Sequence, residues 1–426
     1  MKGLSAAAFG VRAVLIIAAL LITRPAAAQS MEEFFDDTAV QEIRLTLNSK
    51  DWESLKQNYK ENIYYPTALA WKGVTVRNVG IRSRGLGSRS PRKPGLRVDM
   101  DYYTASQTFL GMKSFVLDNL TQDRSMLREW LSMAFFRRLG LPAPREAFAR
   151  LFVNDTFVGV YALVEAIDKA YLGRSLGQDN HGGTENDGYL FEYGYIKNYR
   201  FEYLGSNLNE YKIFKAKTRE KEADAQIWGP LEAAVKAINE TPDNNFNRDV
   251  SDYFDLSKVA RHLAIENFLA EDDGILGYAG MNNFYLYRFE DSKKMQFLAW
   301  DKDNTFHSVD FDIMKRISEN VLARRTLGLS QYKNEYLNTL LDAAASAMEP
   351  DPEADKNDKN GKPVSLPGWM EREILRQYNL IRSLARSDEF KPYNNDEFEE
   401  SIQGLLTFAR ERAAYVKDHV AEERRR

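Results

Sequence analysis

Three short stretches carry residue types that could do chemistry together. In "LAWDKDNTF", residues 298–306, Asp301 and Asp303 stand one residue apart just past Trp300. If the preceding strand continues, its alternation points both carboxylates the same way, where they can share one divalent ion. The plain alternative is an acidic turn capping a strand. In "ENFLAEDDGILGYAGMNNFYLY", residues 266–287, Glu271, Asp272 and Asp273 end a helical pattern, and a loop with Gly274, Gly277 and Gly280 leads to Asn282 and Asn283. Acids at a helix C-terminus oppose the macrodipole, a local conflict that points to function. Glycine at every third place lets the loop fold back, so that a carboxylate and an amide oxygen ten residues apart can meet. Such a pair suits a general base beside a hard-cation ligand. In "GIRSRGLGSRSPRKPGLRVDMD", residues 80–101, Gly80, Gly85 and Gly87 free the backbone, Ser88 and Ser90 add donors, and Arg82, Arg84, Arg89, Arg92, Lys93 and Arg97 concentrate positive charge. That turn is either a phosphate cradle or a solvated basic hairpin.

The elements that must position these residues read as a β-rich first half and a helical second half. Residues 39–47, 62–85, 93–101, 114–120 and 148–168 alternate as strands, with Asn154-Asp155 as a hairpin connection. One main helix interrupts them, "DRSMLREWLSMAFFRRLG", residues 123–140, opened by Asp123 or Ser125 and closed by Gly140. After a Gly, Asn and Asp-rich loop come strands near "YLFEYGY" and "EYKIFKAKT", then helices over 223–240 and 255–271, the latter capped by Asp255. "NFYLYRF" and "KMQFLAW" form an antiparallel hairpin whose two ends lie side by side, bringing Asn283 near Asp301. Helices around 334–348, 368–386 and 395–421 finish the chain. The polar segment 349–367 between the first two is a solvated linker, because its glycine does not fall where a calcium loop needs it.

Composition bounds the rest. The chain has 426 residues, 44% hydrophobic and 28% charged, which is globular composition. Lys2 and Arg12, the apolar run 13–22 and the small-residue end Ala26-Ala27-Ala28 read as a secretory signal cut near Ala28, and the apolar run is too short for a spanning anchor. With no cysteine, neither a disulfide framework nor a lipidated cysteine is possible. Loss of residues 1–28 removes Lys2, Arg12 and Arg24 and no acid, so the formal charge moves from −4 to −7. A mildly acidic chain gives no argument for nucleic acid as partner. His181, His262, His307 and His419 lie far apart and show no metal-ligand spacing.

Taken in order, the Gly/Ser/Arg turn with its lysine, "VNDTFVGVYALVEAID", a helix ending in Asp, "NNFYLY" and "WDKD" resemble the spore-coat protein H (CotH) family of atypical, secreted protein kinases. The resemblance runs from about residue 38 to the final helix. It implies an α+β, two-lobed, protein-kinase-like fold: a β-rich N-lobe over 29–165 with one main helix, and a larger, mostly helical C-lobe over 166–426. It also implies ATP, Mg²⁺ or Mn²⁺, and a protein substrate. Position by position, "RGLGSRSPRK" covers the nucleotide phosphates, with Arg84 and Ser88 in the turn and Lys93 as the phosphate-pairing lysine. Glu165 falls where the chain passes between lobes, near the adenine or as a structural anchor. Asp273 matches the aspartate that accepts the substrate hydroxyl's proton, with Asp272 as its neighbouring rival. Asn283 holds a metal, in competition with Asn282, and Asp301 bridges metal and phosphates with Asp303 assisting. Glu129 is the candidate partner of Lys93. Two other readings stand beside the kinase: a kinase-shaped assembly or surface-binding protein without turnover, suggested by export to compartments where ATP is scarce, and metal-assisted hydrolysis at the aspartates.

Overall fold

The computed structural model describes residues 29–179, 182–354, 362 and 366–426. The signal 1–28, His181 and much of the linker 349–367 therefore lie outside the described residues. Strands β1 (Gln41–Thr46), β2 (Tyr65–Trp71), β3 (Val74–Ser83), β4 (Leu96–Asp99), β5 (Ser114–Asp118), β6 (Glu146–Val153) and β7 (Thr156–Glu165) form a closed barrel in the order β1-β2-β3-β4-β5-β7-β6. Neighbours are antiparallel except β1 and β6, whose parallel pairing, with Ile43 opposite Leu151, closes the ring. Closure leaves no edge to protect. Alternate residues fill the interior: Ile43, Leu69, Ile81, Val98, Leu117 and Leu163 are fully buried there.

β5, β6 and β7 are apolar on both faces. Their outward residues Val116, Phe148, Val160 and Val164 join a second, larger core with the helix Arg128–Arg138 and the rest of the described chain. Near-continuous apolar runs are what two-faced burial requires. Beyond β7 lies a four-stranded antiparallel sheet in the order β11-β10-β8-β9, made of β8 (Tyr189–Tyr193), β9 (Phe214–Ala216), β10 (Phe284–Arg288) and β11 (Met295–Ala299). In the hairpin, Phe284 pairs with Ala299. Asn283 and Trp300 are thus brought together at one end of the sheet.

The main helices are α1 (Ser49–Gln57), α2 (Arg128–Arg138), α3 (Leu256–Phe268), α4 (Ser330–Ala347), α5 (Trp369–Ser387) and α6 (Asn395–Glu423). Asp255 caps α3 by accepting from the amides of Ser257 and Lys258, as its sequence position predicts. α1 is a correction to the single N-terminal helix expected. It is short and polar, with Leu55 as its buried residue, so no apolar stripe marks it, although Asn48 caps it by accepting from the Lys50 amide. The strand expected near "EYKIFKAKT" is the three-residue β9, and the first four residues of that stretch belong instead to a 3₁₀ turn, Leu208–Ile213. No helix among the described residues is long and apolar enough to cross a membrane.

Candidate active site

A cleft of about 990 Å³ opens between the barrel and the four-stranded sheet. The basic turn, the chain just after β7, Asn282, Asn283 and Asp301 all contribute to its walls. Gly85 has φ +103°, a left-handed conformation that glycine adopts without strain, and it turns the chain so that Arg84, Leu86 and Arg89 face the cleft. Among the described residues, nine Lys and Arg side chains line this cleft against five Asp and Glu, in a chain of formal charge −4. Local positive charge on a negative protein favours a polyanionic ligand.

The loop after α3 folds back as the glycines predict. Asp273 Oδ2 accepts from Asn282 Nδ2 at 3.0 Å and from Asn283 Nδ2 at 3.1 Å. No hydrogen bond reaches its Oδ1 among the described residues. Withdrawal from water pushes the Asp273 carboxyl up, and the two amides oppose the shift. The rival Asp272 is drawn elsewhere, since its Oδ1 pairs with Arg316 at 2.7 Å. Asn283 and Asp301 both have left-handed backbone, φ 55° and 53°, which Asn and Asp tolerate better than other side chains. β11 ends at Ala299. Asp301 and Asp303 therefore do not share a face by strand alternation, as continuation of the strand would require. Asp303 Oδ1 accepts from Asn304 instead, and burial, with Asp301 and Asp118 adding to it, pushes its carboxyl well up.

Arg84 connects the two sides of the cleft. Its guanidinium pairs with Asp118 at 2.8 Å, reaches Asp301 at 4.0 Å and lies 5.7 Å from the Trp300 ring centre. The Asp301 side chain stays 36% exposed, open to the cleft. Among the described residues, no three His, Cys, Asp or Glu side chains stand together as a ready metal site. The donors present are nonetheless hard oxygens, and Mg²⁺ needs only one or two carboxylates from a protein when phosphate oxygens complete its shell. Asp301, with Asn283 opposite, fits that mode.

Glu129, Glu146 and Asp118 lie behind this wall. Both oxygens of Glu146 are buried without a hydrogen bond among the described residues. Burial pushes its carboxyl to about 8, with Arg137 opposing and Asp118 and Asp301 adding to the rise. A carboxyl that holds its proton more tightly when folded makes stability fall as pH rises from the ordinary carboxylate range to that folded value. The expected result is a lower Tm at about pH 8.5 than at about pH 5.5, with the difference reduced in Glu146→Gln. Scanning calorimetry at the two pH values checks it, and an undiminished slope in the variant counts against Glu146 as the source.

A family model described as CotH kinase protein matches residues 81–416. The chain belongs to the CotH kinase family. The inner spore coat protein H of Bacillus subtilis (strain 168) is 24% identical over 389 residues, covering 89% of this chain and 97% of that protein. A crystal structure of the Helicobacter pylori proinflammatory kinase CtkA aligns over 80% of this chain and 95% of that one, at 11% identity and a TM-score of 0.30. That likeness is too distant to fix the fold.

In this CotH kinase chain three residues assigned to the nucleotide sit away from the cleft wall. Lys93 is buried, its Nζ 2.7 Å from Asp388 Oδ2 and 5.1 Å from the Tyr161 ring centre. Glu129 is therefore not its partner. Glu129 stands instead within reach of Glu146 and Asp301, and burial followed by those charges pushes its carboxyl well up. Glu165 anchors the end of β7: its oxygens take Arg145 at 2.8 Å, Arg174 at 2.6 Å and the Arg145 amide at 3.0 Å. Of the two roles open to it, the geometry matches the structural one. Ser88 turns its carbonyl to Asn119 Nδ2 at 2.8 Å, so it braces the turn from behind. Asp118 had no signal in sequence beyond its place at a strand end.

Proposed function

We propose that this chain is a secreted or periplasmic protein kinase that transfers the ATP γ-phosphate to a protein hydroxyl with Mg²⁺ or Mn²⁺. Residues 29–165 act as its N-lobe and 166–426 as its C-lobe. The observation that carries this reading is a cationic cleft whose wall holds the Arg84–Asp301 pair beside Asn282 and Asn283, the two amides that bind the carboxylate of Asp273. Val116, Ala166, Ile167, Leu190, Phe284 and Tyr285 line the same cleft and supply an apolar slot for a purine. Arg84 and Arg89 stand where phosphates would lie, with Arg89 holding the turn through the Gly85 carbonyl at 2.6 Å.

In the transfer, the free Oδ1 of Asp273 takes the proton of the acceptor hydroxyl as that oxygen bonds to the γ-phosphorus. The bond from phosphorus to the bridging oxygen breaks, and ADP leaves. Asp301 and Asn283, with Asp303 assisting, would hold a divalent ion, which would supply positive charge against the phosphates. The chain's own contribution is positioning and electrostatics. Asn282 and Asn283 orient Asp273, while Arg84 holds Asp301 toward the phosphates.

A second reading, a kinase-shaped assembly protein without turnover, is favoured by the relative's own description as a spore coat protein. Calorimetric titration with Mg·ATP, followed by radiolabel transfer to a general protein acceptor, separates the two. Binding with transfer supports the kinase, binding without transfer supports the assembly protein, and no binding removes the kinase and leaves the assembly protein or hydrolysis at the aspartates. Mass determination of the exported chain's N-terminus tests export, with a start near residue 29 expected.

A further inference from the structure

We infer that Lys302 is a positioning residue for the transfer, its one buried ammonium tying the loop that carries Asp273 to the strand ends that carry Asn283 and Asp301. The inference rests on the kinase reading and extends it to a residue with no exposed surface. Lys302 sits between Asp301 and Asp303 with a side chain of 0% exposure. Its Nζ donates to Glu266 Oε1 at 2.7 Å and to the Asn283 carbonyl at 3.0 Å, and stands 3.9 Å from Glu271 Oε2.

Each partner leads back to Asp273. Glu266, in the last turn of α3, accepts from the Ile275 amide at 3.0 Å through Oε2. Glu271 accepts from the Asp273 amide at 2.7 Å through Oε1. Asn283 donates its side-chain amide to Asp273 Oδ2. The backbone is therefore gripped on both sides of Asp273, and the carboxylate itself is gripped by the residue whose carbonyl Lys302 holds. Gly274 admits this arrangement: a Cβ there would come within 2.7 Å of the Glu266 carboxylate. The Lys302 carbonyl accepts from Thr305 Oγ1 at 2.9 Å, and Thr305 Oγ1 lies 2.9 Å from Ser132 Oγ of α2, which links the site to the barrel side.

Stability alone does not call for such a lysine. A buried ion pair replaced by apolar or neutral groups of similar volume is often no less stable. An ammonium supplies three directed donors from one point, which a methionine cannot. Its distinctive contribution is fixing where three segments sit relative to one another.

The test uses the full chain carrying Lys302→Met with Glu266→Gln, which removes both charges and leaves neither stranded, alongside Lys302→Met alone. The double variant is expected to fold with a Tm close to wild type. Its kcat is expected to fall about 10- to 100-fold while KM for ATP changes far less, and the Mg²⁺ concentration for half-maximal rate rises. Hydrogen exchange is expected to quicken at the amides of Asp273 and Ile275 and to stay unchanged along β10 and β11. A folded double variant with wild-type kcat and wild-type exchange in the loop overturns the inference. So does a rate loss that merely follows the folded fraction. A wild-type chain that binds Mg·ATP but transfers nothing overturns the kinase reading itself, and this role falls with it.

Discussion

Asp301→Asn is expected to reduce phosphoryl transfer about a thousandfold or more while the chain keeps its fold. The reason lies in what surrounds the carboxylate. Asp301 is 36% exposed to the cleft, and its cationic neighbour Arg84, at 4.0 Å, keeps a closer partner in Asp118 at 2.8 Å. Removing the Asp301 charge strands no buried cation. Withdrawal from water pushes the Asp301 carboxyl up, with Asp118 and Asp273 adding to the rise and Arg84 opposing it, so an isosteric neutral amide relieves repulsion among acids. On the proposed reading, the lost quantity is the negative oxygen that would face phosphate and metal. Initial rates of radiolabel transfer with Mg²⁺ and Mn²⁺, beside Tm for both proteins, check this. A variant that keeps more than about a tenth of the wild-type rate would remove Asp301 from the proposed metal site.

The contrast between Asp301 and its neighbours shows what a single sequence reveals about such a site. The hairpin of β10 and β11 and the helix α3 were legible because apolar periodicity and a capping aspartate are local signals, and burial of the hairpin follows from its composition. The return of the loop was legible because glycines at 274, 277 and 280 leave few other paths for the chain. Sequence position also narrowed the proposed base to two adjacent aspartates. What sets the two apart in the structure is Arg316, which lies 44 positions from Asp272 in the chain and pairs with that carboxylate at 2.7 Å.

Long-range partners were not legible for the same physical reason. Nothing local distinguishes Arg84 from the five other cations of its turn. The distinction arises when closure of the barrel sets β3 beside β4, and β4 beside β5, so that Asp118 at the end of β5 meets Arg84. Lys302 shows the limit from the other side. Between two aspartates it reads as a solvated charge, yet it is fully buried because Glu266, Glu271 and the Asn283 carbonyl converge on it from three segments. Buried cations are the residues whose meaning depends most on tertiary partners, since burial without a partner is too costly to occur.

Lys93→Met is expected to cost about 3–5 kcal/mol of folding stability and to leave the nucleotide affinity of the remaining folded protein unchanged. The ammonium is fully buried, and burial outweighs the attraction of Asp388 enough to lower its pKa from the ordinary lysine value. Its partner Asp388 also accepts from the Val160 amide through Oδ2 at 2.9 Å and from the Phe390 amide through Oδ1 at 2.9 Å. Gly159 permits that approach, since a Cβ there would lie 2.6 Å from Asp388 Oδ2. Asp388 thus ties the basic turn, through Lys93, and β7, through the Val160 amide, to the end of α5, and removing the lysine leaves a buried carboxylate without its cation. Lys93→Met with Asp388→Asn removes both charges and keeps an acceptor for the Val160 amide, so most of the lost stability should return. Arg84→Ala should behave in the opposite way, weakening Mg·ATP binding in calorimetry with a smaller change in denaturation midpoint. If Lys93 instead pairs with phosphate, as family resemblance implies, Lys93→Met will keep its denaturation midpoint and lose nucleotide affinity. The clamp and the phosphate contact predict opposite pairs of results for one substitution, because a side chain buried against Asp388 cannot also reach a ligand in the cleft without breaking that pair.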